Sequence, residues 1–345
     1  MIVRRARVGI RHLAQFSRSL PPARARFVRL PWFNAKRARR ISTASDRAFL
    51  AEEFVRHLKD GRIGRECHIT TERGDGAGAQ AMAKMSALCL AKAHGLTYVH
   101  VPFSSLEHAE GQPEEWAACW ERLFNFGHGE SSAAECSLPR VEIEEFMADR
   151  RWWTTPCLLT AAHFNRFTDR EPDAYLGVIQ QLREKYYLGA TRRPRSSTVE
   201  VCAHLRRGDV SADDPETAGR FASGEAMANS IAQIRAVLEE LGIPNRVRLF
   251  SQGDEKDFAA FRSMGCELCV SAPALESFRE LVGADVLVMS KSSFSYVAAI
   301  LNDGLKIYDR YARSPMSDWI ERDRNGRADQ ARLRSKIEAR ARTSF

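Results

Sequence analysis

Two adjacent arginines, Arg206 and Arg207, follow an apolar run and are the side chains best suited to bind an anion. The run at residues 198–203 is rich in β-branched residues and predicts a buried strand. Each guanidinium offers a rigid fork of donors that matches the oxygens of a phosphate or a carboxylate. Gly208 permits a sharp turn or a close approach of the backbone to a ligand. The segment therefore predicts either an anion site or an ion-pair cluster in which Asp209 holds Arg207.

Polar side chains also follow two later strands. The strand predicted at residues 247–250 ends in Ser251 and is followed by Asp254. The strand predicted at residues 284–289 runs into a polar segment that opens an apolar helix, with Ser290, Ser292, Ser293, Phe294 and Ser295. Ligands of open α/β sheets bind at the carboxyl ends of the strands, and a helix start suits an anion. The alternative role of these side chains is to cap the helices that follow.

These three segments together resemble a known enzyme family. The run His-x-Arg-Arg-Gly-Asp-Val at residues 204–210 is similar to the first signature of the α1,2-, α1,6- and protein O-fucosyltransferase superfamily, which includes nodulation-type α1,6-fucosyltransferases. Ser-x-x-Asp at residues 251–254 resembles its second signature, and residues 285–295 resemble its third. The resemblance covers residues 199–308, with the three signatures in the family's order.

The resemblance implies an α/β protein of the GT-B type, with two facing Rossmann-like domains that have parallel sheets. It implies that an arginine of the pair holds the β-phosphate of GDP-fucose. The catalytic candidates are Arg206, Arg207, Asp209, Asp213 and Asp214. The donor-binding candidates are His204, Gly208, Gly76, Gly78, Gln80, Ser251, Asp254, Ser290, Ser292, Ser293, Phe294 and Ser295.

The identity of the catalytic base stays open. An acceptor hydroxyl needs a group that takes its proton, and the local candidates are carboxylates near the strand end. Asp213 and Asp214 lie where α1,6-type relatives carry a glutamate, so this chain departs from the family in residue type. Asp209 is a third candidate, with a structural role as its alternative.

A glycine-rich loop in the N-terminal half has two interpretations. Gly76-x-Gly78-x-x-Ala81 follows a predicted strand and opens a predicted helix, which fits the dinucleotide fingerprint. That fingerprint expects an acidic residue at the end of the next strand, and residues 100–105 contain none. We therefore do not expect NAD. The resemblance implies instead that Gly76, Gly78 and Gln80 face the donor across the cleft between the domains.

The acceptor side is the least defined. Glu107 and His108 follow the second predicted strand and are candidates to meet the acceptor. The alternative is that both are surface-loop residues without a role in binding.

Composition predicts a soluble two-domain protein. The chain has 345 residues, of which 44% are hydrophobic, and no apolar run reaches the roughly 18 residues of a membrane span. The basic N-terminus lacks the apolar core of a secretory signal, so we expect a cytoplasmic protein with reduced thiols. Cys266-x-x-Cys269 lacks the second pair that a zinc site needs, so we expect no metal.

The charge is concentrated at the N-terminus. Twelve Lys and Arg residues and no acidic residue precede Asp46, whereas the whole chain carries +8, so the remainder is mildly acidic. We therefore expect no nucleic-acid partner for the folded body. Residues 1–45 are predicted to be a disordered tail, with transient contact at an anionic membrane surface as the alternative.

Four segments follow from these patterns. Residues 1–45 form the tail, 46–191 an acceptor-side Rossmann-like domain, 192–312 the nucleotide-sugar domain, and 313–345 a charged helix that could cross back to the first domain. The function this predicts is an inverting, metal-independent transfer of fucose from GDP-fucose to a hydroxyl of a glycan or glycoconjugate, without a further cofactor. The alternatives are transfer from another GDP-sugar, or a non-catalytic protein of the same fold that binds a nucleotide or a glycan.

Overall fold

The computed structural model describes residues 43–194 and 196–342, so nearly all of the predicted basic tail lies outside the described residues. The described chain forms two β-sheets in which every pair of neighbouring strands is parallel, with helices between the strands. This confirms the predicted α/β class with two parallel sheets. None of the helices in the described ranges is long and apolar enough to cross a membrane.

The N-terminal sheet has five strands in the order β3-β2-β1-β5-β4. The strands are β1 (Cys67–Thr70), β2 (Thr97–His100), β3 (Ser131–Ser132), β4 (Arg140–Glu142) and β5 (Cys157–Thr160). The helices of this half are α1 (Ala44–Lys59), α2 (Ala77–His94), α3 (Pro113–Phe124), α4 (Ile143–Ala148), α5 (Asn165–Arg170) and α6 (Ile179–Gly189). Short 3-10 turns occupy Arg150–Trp153 and Pro172–Gly177.

The C-terminal sheet has six strands in the order β11-β10-β9-β6-β7-β8. The strands are β6 (Val199–His204), β7 (Asn245–Ser251), β8 (Glu267–Val270), β9 (Val286–Val288), β10 (Leu305–Asp309) and β11 (Ile320–Arg322). The helices are α7 (Gly224–Glu240), α8 (Ala259–Ser263), α9 (Ala274–Val282), α10 (Ser293–Leu301) and α11 (Gln330–Arg342), with 3-10 turns at Ala218–Arg220 and Glu255–Phe258.

Local sequence explains the two helices that flank the candidate site. Helix α2 has many small residues and no β-branched ones, most of its residues are buried, and it ends where Gly95 takes a left-handed φ of 68°. Helix α10 starts at Ser292, whose side chain accepts the backbone N–H of Phe294 at 3.2 Å. Six of its nine residues are apolar, so this helix can be buried on all sides.

One apolar core joins the two halves. The ring of Phe278 on α9 lies 5.6 Å from Trp120 and 5.1 Å from Phe124, both on α3. Phe294 on α10 lies 6.2 Å from Trp120. These rings are buried or partly buried, so the halves meet across packed side chains and not across solvent.

Two predicted helices differ from the structure. The charged helix predicted within residues 313–345 begins only at Gln330, because Ile320–Arg322 pairs with β10 as an edge strand and buries Ile320. The spacing of Leu176, Ile179, Leu182 and Tyr186 predicts a helix at residues 175–187. That helix begins only at Ile179, because Val178 has φ −129° and ψ −3°, outside the helical region, and follows a 3-10 turn. Both errors arise where tertiary contacts override the local pattern.

The last helix belongs mainly to the C-terminal half. Leu333 and Ile337 of α11 are buried in the core of that half. Its far end reaches a cavity of about 550 Å³ that it shares with Leu176 and Ile179 of the N-terminal half. A second cavity of about 630 Å³ lies beside β1 and β3. Neither cavity is lined by Arg206 or Arg207.

Candidate active site

The strand order locates the candidate site. Counted from β6, the C-terminal sheet has the order 3-2-1-4-5-6, in which the strand order reverses between β6 and β9 while all strands stay parallel. Ligands of such sheets bind at this switch point, at the carboxyl ends of the strands. Arg206 and Arg207 follow β6, and Ser290 follows β9. The first and third predicted signatures therefore meet at one place.

Arg206 is held by three neighbours. Its backbone N–H donates to Ser290 Oγ at 3.1 Å. Its Nε donates to Asp209 Oδ1 at 3.0 Å, and its Nη2 donates to the other oxygen of the same carboxylate. Its Nη1 lies 3.4 Å from Ser292 Oγ. The predicted pairing of Asp209 with Arg207 is therefore wrong, because the turn after β6 brings the carboxylate back to Arg206.

Gly208 makes that turn possible. Its φ of 84° lies in the left-handed region, where an L side chain is strained. A Cβ at this position would also lie 2.7 Å from Gln252 Oε1. Glycine is therefore favoured here chiefly by backbone conformation, because the flexible side chain of Gln252 can move away from an added Cβ.

Arg207 has a different environment. Its guanidinium lies 4.3 Å from the ring centroid of Phe221, and its Nη1 donates to the carbonyl of Arg206 at 2.8 Å. Within the described ranges it pairs with no carboxylate, and burial lowers its pKa. A half-buried cation without a counter-charge is poised to take an anionic ligand.

The serines after β9 have mainly structural contacts. Ser295 Oγ donates to the carbonyls of Ser290 at 3.1 Å and of Ser292 at 3.3 Å, and all three side chains are buried. They shape the start of α10 and present Ser292 to Arg206. Ser293 and Phe294 are partly exposed there. The helix start can still offer backbone N–H groups to an anion.

The second predicted signature also has capping and bracing contacts. Ser251 is buried and its hydroxyl donates to the carbonyl of Leu205 at 2.7 Å, which ties β7 to the end of β6. Asp254 accepts the backbone N–H of Lys256 at 3.0 Å and so caps a 3-10 turn. The cap made by Asp254 is the alternative role that the sequence left open, whereas the sequence did not predict the bracing contact of Ser251. Contact of either residue with a nucleoside stays a prediction.

His204 is kept neutral by its surroundings. Its ring packs 5.4 Å from that of Phe294. Burial, together with the positive charge of Arg206, lowers the pKa of His204 to about 3. Its Nδ1 is buried and has no hydrogen-bond partner among the residues described.

The acidic loop after the motif is partly structural. Asp214 accepts the backbone N–H of Glu216 at 3.0 Å and the hydroxyl of Thr217 at 2.8 Å. These hydrogen bonds lower the pKa of Asp214. Asp213 is exposed. Asp214 therefore shapes the loop, and a role for either residue as the base stays a prediction.

The glycine-rich loop packs against the other half. A Cβ on Gly78 would lie 2.7 Å from the backbone N of Phe294 and 2.8 Å from its Cα. Gln80 is buried, and its amide donates to the carbonyls of Asp75, at 2.9 Å, and Ser105. Gly76 has open space around its Cα. The loop thus lies beside the candidate site, where Gly78 permits close helix packing and Gln80 braces two loops.

The acceptor-side candidates lie in the loop after β2. His108 Nε2 is 4.0 Å from Asp209 Oδ2, so this loop reaches the first signature from the other half. Glu107 is exposed. The carboxylate of Glu110 accepts the backbone N–H of Ala274, with 3.0 Å to one oxygen. The sequence did not single out Glu110 or Phe221, because only the fold brings their segments to the site.

No group of three or more His, Cys, Asp and Glu side chains suited to a metal ion occurs in the described part of the chain. Independence from metal stays a prediction.

No protein-family model matches the sequence, and no curated protein sequence matches it. The chain is similar to the solved structure of fucosyltransferase NodZ from Bradyrhizobium, with 14% identity and a TM-score of 0.38 over 68% of this chain and 93% of that one. It is also similar to NodZ α1,6-fucosyltransferase co-crystallised with GDP, with 13% identity and a TM-score of 0.37 over 68% and 92%. A family 9 glycosyl transferase from Veillonella parvula shows 7% identity and a TM-score of 0.39 over 79% and 96%.

Proposed function

We propose that this protein is an inverting glycosyltransferase that moves fucose from GDP-fucose to a hydroxyl of a glycan or glycoconjugate without a metal ion. The observation that carries the proposal is the environment of Arg207. Its half-buried guanidinium lies at the switch point of the sheet and pairs with no carboxylate of the described residues. The resemblance of residues 204–210 to the fucosyltransferase signature supports GDP-fucose as the donor.

The surroundings of Arg207 suit a leaving diphosphate. Breaking the bond between the sugar and GDP develops negative charge on the β-phosphate. Arg207 can pair with that charge, while Arg206 lies next to it at the end of β6 and the start of α10 follows the neighbouring strand β9. One such preorganised donor is worth roughly 3 kcal/mol in a transition state. The same positive charge is what a divalent cation supplies in metal-dependent transfer, so we propose that none is needed.

Binding of GDP tests the proposal. Isothermal titration calorimetry of the wild type, with and without EDTA, should show micromolar affinity that EDTA does not change. Arg207→Ala should weaken GDP binding at least tenfold, because it removes a charge-assisted contact to phosphate. Arg262→Ala is the matched control, since this arginine of the same half has a side chain that is 62% exposed and should leave affinity unchanged.

The outcomes are distinct. Absence of GDP binding to folded wild type would overturn the nucleotide-sugar proposal. Loss of binding in EDTA would overturn metal independence alone. If GDP binds as expected, rates of GDP release from GDP-fucose and GDP-mannose rank the donors, and a preference for GDP-mannose would contradict fucose transfer.

A further inference from the structure

We infer that His108 is the general base of the transfer, and that the carboxylate of Asp209 stabilises the protonated ring. The assignment rests on the proposed function, because it needs a donor bound at Arg207. In this proposal the contact between the two halves has a catalytic role. The base is a histidine, whereas the sequence suggested the carboxylates of Asp209, Asp213 and Asp214.

The geometry places the imidazole at the junction of the halves. Its Nε2 lies 4.0 Å from Asp209 Oδ2, while 65% of its side chain is exposed. It therefore faces the first signature on one side and leaves room for an acceptor on the other. Nε2 lies on the side of Asp209, at a distance that suits an ion pair with the protonated ring and not a hydrogen bond. We therefore assign the proton transfer to Nδ1.

The loop of His108 is held in an uncommon conformation. His108 has a φ of 59°, a left-handed value that few residues other than glycine adopt. The same loop is fastened to the C-terminal half where Glu110 accepts the backbone N–H of Ala274. A strained residue persists where its surroundings hold it, and such residues concentrate at functional sites.

The nearby carboxylates are poorer bases. Burial by itself would raise the pKa of Asp209, but the hydrogen bonds and charge of Arg206, with weaker effects of His108 and Arg220, lower it. Hydrogen bonds within its own turn lower the pKa of Asp214. A base with a depressed pKa accepts a proton weakly, whereas histidine as a residue type suits proton transfer near neutral pH.

The proposed step balances as follows. The acceptor hydroxyl gives its proton to Nδ1 of His108, and its oxygen forms a bond to the anomeric carbon. The bond between that carbon and the β-phosphate oxygen breaks, and its electron pair leaves with GDP beside Arg207. The imidazolium, paired with Asp209, then releases the proton to solvent. The other charged groups that act on Asp209 are Arg206 and Arg220 on the C-terminal half. Glu107 and Glu110 are neighbours of His108 along its loop.

Kinetics of His108 variants test the inference. The probes are GDP binding by calorimetry and GDP release from GDP-fucose, in water and with a panel of free oligosaccharides. His108→Gln should lower kcat by about 10²–10⁴-fold, the usual contribution of a general base, and leave the Kd for GDP within about twofold. Added imidazole should restore part of the activity of His108→Ala. His128→Gln, at an exposed histidine away from the site, is the matched control and should keep wild-type kcat.

The result separates this inference from the proposed function. Wild-type kcat in His108→Gln, with intact GDP binding, overturns the base assignment alone. A matching loss of GDP affinity, or no rescue by imidazole, shows a structural role and also overturns it. GDP binding by a wild type that turns over no GDP-sugar overturns the assignment as well. Failure of the wild type to bind GDP overturns the proposed function and this inference together.

Discussion

Arg206 and Arg207 are adjacent in sequence, yet they differ in what surrounds them. Arg206 is neutralised by a bidentate contact with Asp209, which also orients it toward Ser292. Arg207 stacks on Phe221 and keeps its charge uncompensated by any described carboxylate. A planar guanidinium can form a bidentate pair with a carboxylate and can also stack on an aromatic ring. The single ammonium group of a lysine would make both contacts less well. The proposed anion site therefore rests chiefly on Arg207, whereas Arg206 shapes the turn.

His204 should make stability depend on pH. Its pKa is about 3 in the folded protein, against an ordinary value of 6.5. Below pH 6.5 the unfolded chain binds a proton that the folded chain does not, so stability falls as the pH drops from 6.5 towards 3. Between pH 7 and pH 5 this histidine should cost roughly 2 kcal/mol.

Urea unfolding of the wild type and of His204→Gln at several pH values measures that effect. The variant should lose less stability than the wild type between pH 7 and pH 5, while the two should run parallel from pH 7 to pH 8. Equal losses over the acidic range would contradict a buried, neutral His204.

At the level of elements, the starts of α2 and α10 approach one another closely. Gly78 lies in the first turn of α2, and its missing side chain leaves room for the backbone of Ser293 and Phe294. The main observed role of the glycine-rich loop is therefore to let the two halves pack closely together. That contact also fixes where the start of α10 stands relative to Arg206.

Gly78→Ala should separate these helices. The added Cβ would lie 2.7 Å from the backbone N of Phe294. A backbone atom cannot move aside in the way that the end of a flexible side chain can. We expect a loss of about 1–3 kcal/mol in the free energy of unfolding, typical of overpacking, measured by urea denaturation.

Gly76→Ala is the control for this substitution. Gly76 has a φ of −62° that alanine adopts freely, and nothing lies within 4 Å of its Cβ position. Its stability should stay within about 0.5 kcal/mol of the wild type. Similar effects of the two substitutions would show that the close approach of α2 and α10 does not stabilise the fold.

At the scale of the molecule, the two halves are joined by packed side chains, an ion pair and hydrogen bonds as well as by the connecting chain. Phe278 packs on Trp120 and Phe124 of the other half. Arg313 forms an ion pair with Asp169, and both side chains are mostly buried. Arg183 donates to the carbonyls of Leu301, at 3.1 Å, and Asn302, at 2.7 Å. These contacts make the position of one half depend on the other.

The described halves should consequently unfold together. Unfolding followed by far-UV circular dichroism and by tryptophan fluorescence should give coincident transitions. Phe278→Ala should lower the free energy of unfolding by about 3–5 kcal/mol, because it removes a fully buried ring. Two separate transitions in the wild type, or a loss in Phe278→Ala confined to one of two transitions, would contradict a shared core.

Much of the fold follows from local patterns. The strands β6, β7 and β9 lie where apolar runs predicted them, within about two residues. Most helices follow the 3.6-residue period, and α10 begins at the serines that suit a cap. The edge strand β11 was missed because its three residues form a strand only by pairing with β10.

The sequence by itself determined which side chains could bind an anion and that each follows a strand. It also determined the α/β class, because turn residues and apolar periodicity act over a few neighbours. Only the tertiary structure decided that Asp209 pairs with Arg206, that Gly78 packs on Phe294, and that His108 reaches Asp209. These three contacts depend on the direction in which a turn points a side chain and on how the two sheets pack together. The distances between the contacting residues are set by the packing of the whole chain, and a local sequence pattern does not determine them.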